Sequence, residues 1–144
     1  MTGLVPSAQN LSQVISQATA PAFVLGSVAA FVSILSGRLN ATMDRIRQLN
    51  DIDDDDRSRG RLKRDLPRLR RRAILLASAT RFALASGVCT ALLLVAMFAT
   101  ALLGLEHAYG AALLFFLAVV LLGIALVRFS QEVMTGISEA DHFR

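Results

Sequence analysis

The sequence lacks the residues from which disulfide frameworks and most metal centres are built. Its 144 residues include one cysteine, Cys89, and two histidines, His107 and His142. One cysteine excludes an intramolecular disulfide and any multi-cysteine zinc site. The sequence also has no glycine-rich phosphate-binding motif and no cluster of metal ligands. We therefore expect no catalytic residue, no cofactor and no metal site, and we do not expect an enzyme.

Charge is missing from large parts of the chain. Residues 1–37 have no charged side chain. Thirteen of the 15 Lys and Arg lie between Arg38 and Arg81 with seven of the 11 acids, so this segment carries a net +6. Its lack of interleaved aromatic residues argues against nucleic-acid binding. A basic segment between apolar ones is typical of a cytoplasmic loop in a membrane protein.

What the chain does have is long apolar runs. Apolar residues make up 54% of the sequence and the mean hydropathy is +0.54, whereas about 45–50% is usual for soluble domains. A spanning helix needs about 20 apolar residues, and three segments meet that need: 15–37, 82–105 and 108–129. Pro21 is compatible with the start of the first span or with a kink in it.

These segments predict an all-α integral membrane fold in a single domain, residues 1–144. The excess of arginine in 38–81 places that segment in the cytoplasm. Three crossings then place the N-terminus outside and the tail, 130–144, in the cytoplasm.

The charged segment 38–81 also has the apolar spacing of helices. Leu35, Leu39, Met43, Ile46 and Leu49 recur every three or four residues, and so do Leu62, Leu66, Leu69, Ala73, Leu76 and Thr80. Two such stripes predict an antiparallel helical hairpin that extends the first two spans into the cytoplasm. Pro67 is a candidate first residue of the second arm, with 51–66 as the loop.

The charged residues of this hairpin divide into two groups. The acids of the tip form a solvated turn or, in an oligomer, a ring at a cytoplasmic mouth: Asp51, Asp53, Asp54, Asp55 and Asp56. The others are interpreted as ion pairs within the hairpin or as lipid anchors: Arg38, Asp44, Arg47, Arg70, Arg71, Arg72 and Arg81. Asp44 has Arg47 as a partner in its own helix, and Arg70 or Arg71 as partners across the hairpin.

The tail after the third span is amphipathic. Phe129, Val133, Ile137 and Ala140 fall along one face, and Arg128 and Glu132 have the spacing of an ion pair. We expect a helix that lies on the membrane surface or packs against the basic hairpin.

Uncharged polar residues mark the first span and the segment before it, 1–20. This segment either lies flat outside the membrane or continues the span. In the second case its amides, with hydroxyls of the span, would line a water-filled route. The candidate pore-lining residues are Asn10, Gln13, Gln17, Ser27, Ser33 and Ser36. Small residues repeat every four positions in two series on the first span and one on the second, and they predict close helix contacts in a homo-oligomer. The series are Ala22, Gly26 and Ala30; Ala29, Ser33 and Gly37; and Ala83, Gly87 and Ala91.

Several motifs together resemble a family of small bacterial membrane proteins known only as a domain of unknown function. They are Gly37-Arg38-Leu39, Asp44-Arg45-Ile46-Arg47-x-Leu49, Arg70-Arg71-Arg72 and Arg128-Phe129-x-x-Glu132-Val133. The resemblance extends over nearly the whole chain and implies three spans, a charged loop after the first and a place in the bacterial inner membrane. It does not include the aspartates of the tip, and it implies no activity.

Two functions fit these observations. The first is an ion-conducting pore built from several copies, with a preference for cations because of the acidic tips. The second is a non-conducting scaffold or accessory subunit whose basic hairpin binds a soluble partner or anionic lipid. Apart from the bilayer and further copies of itself, the sequence identifies no partner.

Overall fold

The computed structural model is all-helical and describes residues 8–52, 60–103 and 108–140. Three long helices follow one another: α1 is Ala8–Asn50, α2 is Leu66–Leu103 and α3 is Ala108–Ala140. A short 3₁₀ helix, Gly60–Asp65, precedes α2. All three long helices are long and apolar enough to cross a membrane. This confirms the predicted fold class and is what a multi-pass membrane protein requires.

Helix α1 is continuous from the polar N-terminal segment to the charged arm. It runs through Pro21, where the missing N–H leaves the carbonyl of Gln17 without its usual donor. At about 1.5 Å per residue, 43 residues reach about 64 Å, roughly twice the thickness of a hydrocarbon core. The segment before the first span, from Ala8 on, therefore continues that span.

Helix α2 is the central helix, and α1 and α3 each pack along it. Small residues allow this close packing: Ala79, Ala83 and Ser86 are fully buried. The Ser86 hydroxyl donates a 2.7 Å hydrogen bond to the carbonyl of Ala118 in α3. Pro67 is the second residue of α2, where the absence of an N–H costs no helical hydrogen bond.

The core begins in the spans and continues into the charged arms. Leu35, Leu76 and Ala125, one from each helix, are fully buried in one cluster. Farther along α1, Ile46 and Leu49 are buried as predicted, but Met43 is 39% exposed and Thr42 is buried in its place. The buried stripe is therefore shifted by one residue at this point. Thr42 can be buried because its hydroxyl donates to the carbonyl of Arg38.

The tail is the last part of α3, which runs unbroken past the third span. Gly136 faces Arg72, whose Nη2 atom would lie 3.5 Å from a Cβ added at that glycine. The tail therefore packs against the basic arm and is not a separate helix on the membrane surface.

Candidate functional site: a shared carboxylate and an exposed helix seam

The polar site that joins all three helices is built around Glu132 of α3. Its side chain has no solvent exposure. Arg38 of α1 donates to both carboxylate oxygens through Nη2, at 3.0 and 3.2 Å. Arg72 of α2 donates to Oε1 through Nε at 3.0 Å and Nη2 at 2.8 Å. We call these three residues the charge junction.

Geometry explains why a carboxylate is tolerated in this buried position. A buried charge is very costly unless it is paired and hydrogen-bonded. Here four short charge-assisted hydrogen bonds surround one carboxylate. No buried side-chain polar atom among the described residues lacks a partner. The junction has a net charge of +1, because two guanidinium groups share a single acid.

An aromatic pair supports the junction on its apolar side. The Phe129 ring, one turn before Glu132, packs edge-on against Phe31 with centroids 5.6 Å apart. The guanidinium carbon of Arg38 lies 5.4 Å from the centre of the Phe129 ring. A cation over an aromatic face gains about 0.5–2 kcal/mol. Phe129 therefore stabilises the position of the Arg38 guanidinium in addition to Glu132.

The charge junction corrects one of the ion pairs expected from the sequence, whereas the expected pair of Asp44 with Arg47 is present. Glu132 binds Arg38 and Arg72, and not Arg128 in its own helix. Asp44 pairs with Arg47, at 3.5 Å, and both side chains are largely exposed. Arg70 and Arg71, the partners expected for Asp44 across the hairpin, are exposed. The spacing of Arg128 and Glu132 misled the prediction because it could not reveal two arginines from distant segments.

The remaining residues predicted for the hairpin are Arg81 and the acids of the tip. Arg81 is exposed on α2, among the apolar side chains Ile74, Leu84 and Val88. Asp51 is exposed and its N–H donates to the carbonyl of Arg47. The other acids of the predicted tip lie outside the described residues: Asp53, Asp54, Asp55 and Asp56.

The six candidate pore-lining residues do not share one face. Gln13, Gln17, Ser27 and Ser33 are exposed and Ser36 is half-buried, while Asn10 lies in α1 with its side chain outside the described part. Ser27 and Ser33 are six residues apart, which places them about 120° apart around the helix. The Ser27 hydroxyl donates to the carbonyl of Phe23 at 3.0 Å, whereas Ser33 makes no hydrogen bond through its hydroxyl to any described residue.

A different set of residues forms a continuous exposed surface on α1, which we call the outer seam. Its ten members alternate at spacings of four and three, and every one of them is exposed. All are small or polar except Phe23. They are Ser12, Ser16, Thr19, Phe23, Gly26, Ala30, Ser33, Gly37, Asn40 and Asp44.

This spacing is that of the contact positions of a coiled coil. An added Cβ at Gly26 or Gly37 would have nothing within 4 Å, so the seam is open in the single chain. By contrast, a Cβ at Gly87 of α2 would lie 3.2 Å from Val28. The sequence signal that identifies the seam is its strict alternation of four and three, which a repeat of small residues every four positions does not capture.

Comparison with known proteins places most of the three-helix unit in one family. The model of a family described as a protein of unknown function, DUF2721, matches residues 18–141. The chain belongs to the DUF2721 family. The DUF2721 match includes Arg38, Arg72 and Glu132 and most of the outer seam. No curated protein and no solved structure matches the chain.

Among the residues that the structure describes, no group of three or more His, Cys, Asp or Glu is placed to hold a metal ion. Cys89 is half-buried in α2. The chemistry that this DUF2721 chain offers therefore lies in its arginines, in the buried carboxylate and in the polar seam.

Proposed function

We propose that the protein is a homo-oligomeric ion channel in which copies of α1 surround a common axis, with their outer seams turned towards it. The observation that carries the proposal is the outer seam itself: an exposed, small and polar surface along a helix that is apolar enough to span a membrane. In a lone chain this surface would face acyl chains. Uncharged hydroxyls and amides suit a water-filled route, since they avoid the cost of a buried charge.

The charges near the seam support a preference for cations. The last seam residue, Asp44, has a carboxylate that is 65% exposed. Arg38 lies about 100° around the helix from Gly37, and its guanidinium is directed to Glu132 and away from the seam. With the basic arms in the cytoplasm, a ring of Asp44 carboxylates would stand at the cytoplasmic mouth and would attract cations.

Ion flux in liposomes tests the channel. The purified full chain is reconstituted, and potassium efflux is followed under an applied potential for wild type, Ser33→Phe and Ser27→Phe. Ser33→Phe places a ring on the seam and should block efflux. Ser27→Phe makes the same change about 120° around α1 from the seam residue Ser33 and should leave efflux intact. If wild type conducts no ion, the proposal fails; if only Ser27→Phe blocks, a different face lines the axis.

One observation favours a second candidate, a scaffold that recruits a soluble partner. Arg68, Arg70 and Arg71 at the start of α2 are exposed, while Arg72 beside them is directed inward. A basic surface of this kind suits an acidic partner. Reversing the charge of Arg70 and Arg71 would then abolish recruitment without any change in assembly, and a protein that conducts no ions but still binds its partner would favour this function.

A further inference from the structure

Arg38 uses only part of its hydrogen-bonding capacity in the charge junction. A guanidinium has five N–H donors. Within the part of the chain that the structure describes, Arg38 donates only through Nη2, and always to Glu132. Its side chain remains 42% exposed. Glu132 and Phe129 therefore hold in place a guanidinium whose Nε and Nη1 donate to no described residue.

A second arginine lies on the same side of α1. Arg45 follows Arg38 by seven residues, which places it about 20° around the helix and about 10 Å farther along it. It is exposed, and its described contact is a 3.4 Å hydrogen bond to the neutral Gln48.

The residue between the two arginines on this side of α1 has a small side chain. Ala41, three residues after Arg38 and four before Arg45, is exposed. On the apolar side, Ile34 lies one turn before Arg38 and is 56% exposed. Two cations on either side of an alanine, next to an exposed apolar side chain, form a surface that matches one phosphate above one acyl chain.

We propose that Arg38 and Arg45 bind the phosphate of an anionic phospholipid over Ala41, with an acyl chain of the lipid against Ile34. The site is separate from the outer seam and does not depend on ion conduction. Arginine forks match phosphate in two-point geometry, and Arg38 follows Gly37, where the apolar part of α1 ends. Bilayer phosphates would lie at this level. The apolar neighbour favours a lipid over a free anion, since free phosphate has nothing to place on Ile34.

Native mass spectrometry of the full chain in a nonionic detergent tests the site. Phosphatidylglycerol is titrated in, and the lipids retained on each chain are counted. Phosphatidylcholine of the same chain length, and inorganic phosphate, are the two comparison ligands. We expect one tightly held phosphatidylglycerol per chain, weaker retention of phosphatidylcholine and no displacement by inorganic phosphate. Equal retention of both lipids, or displacement of the lipid by millimolar phosphate, would overturn the assignment.

Substitution of Ala41 leaves the three side chains of the charge junction themselves unchanged. Ala41→Glu puts a carboxylate within reach of Arg38 at i,i+3 and of Arg45 at i,i+4, so it competes with the phosphate. Retention should fall about tenfold, the effect of losing a charge-assisted contact. Ala41→Gln has the same size without the charge and should retain the lipid as wild type does.

A matched charge control is available on α3. Ser130 is exposed and lies one residue after Phe129, so Ser130→Glu adds the same charge at a similar level but away from α1. It should leave retention unchanged, and the thermal midpoints of all variants verify folding. The proposal is wrong if Ala41→Glu retains the lipid as well as Ala41→Gln, or if Ser130→Glu loses it equally.

Discussion

The charge junction and the outer seam place polar residues in a membrane protein in opposite ways. In the junction, three charged side chains from three helices satisfy one another, and Glu132 has no exposure. In the seam, ten residues of one helix are all exposed. The contrast shows that the junction is complete within one chain, whereas the seam residues are exposed in that chain and are open to a second copy. Substitutions in the junction should therefore destabilise the chain, and substitutions in the seam should affect assembly and conduction.

The largest effect is expected at Glu132. In Glu132→Gln the neutral amide leaves Arg38 and Arg72 facing each other with no acid between them. Breaking a buried ion pair by removing one partner costs about 3–5 kcal/mol. The free energy of unfolding in detergent micelles, from denaturant titration, should fall by that amount. An unchanged unfolding midpoint would show that the junction contributes little to holding α3 in place.

A pair of glycine substitutions compares packing inside the chain with packing at the seam. Gly87→Leu forces a large side chain against Val28, 3.2 Å from the new Cβ, and overpacking costs about 1–3 kcal/mol. Gly26→Leu meets nothing within 4 Å. Both changes replace a poor helix former by a good one, so in a detergent that keeps the chain monomeric the difference between their unfolding midpoints reports the steric term. Equal midpoints would contradict the packing of α1 on α2.

The same Gly26→Leu variant sharpens the comparison at the level of assembly. Small residues set how closely the copies of α1 approach one another around the axis, so leucine at the seam should change the copy number of the oligomer while the single chain stays folded. Native mass spectrometry in nanodiscs measures the copy number, with Leu117→Ala on the exposed surface of α3 as a control. A wild-type protein that is already a monomer would remove the basis for an axis between chains.

The smallest effect on stability is expected for Asp44→Asn. Its pair with Arg47 is 3.5 Å long and well exposed, and such pairs contribute about 0–1 kcal/mol. Unfolding should hardly change. Because Asp44 ends the seam, the ratio of cation to anion permeability should fall instead, as measured from reversal potentials in an asymmetric salt gradient. A large loss of stability would mean that Asp44 has a structural partner.

The sequence predicted the local architecture well and the long-range contacts poorly. Uninterrupted apolar runs predicted all three long helices, and the stripes through Leu35, Ile46, Leu49 and Leu76 predicted where the arms pack. Periodicity carries this information because it reflects one helix and its buried side. The position of Pro67 likewise indicated the start of α2.

The charge junction could not be predicted in the same way. Its members are separated by 60 and 94 residues from Glu132, and spacing within a helix suggested Arg128 as the partner instead. Thirteen arginines and lysines in one segment offered no means of choosing the two that turn inward. That choice depends on how α3 crosses α2, a property of side-chain packing among Ala79, Ala83, Ser86 and Ala118.

The position of Glu132 near the end of the chain has a consequence for biosynthesis. Chains are made from the N-terminus, so Arg38 and Arg72 leave the ribosome long before the acid that neutralises one of them. Until then both arginines are uncompensated positive charges, and positive charges beside apolar segments are the kind that orient membrane helices. Once α3 has been made, Glu132 accepts hydrogen bonds from both arginines. A nascent chain cut short before residue 132 would therefore carry both arginines without the carboxylate that binds them in the longer chain.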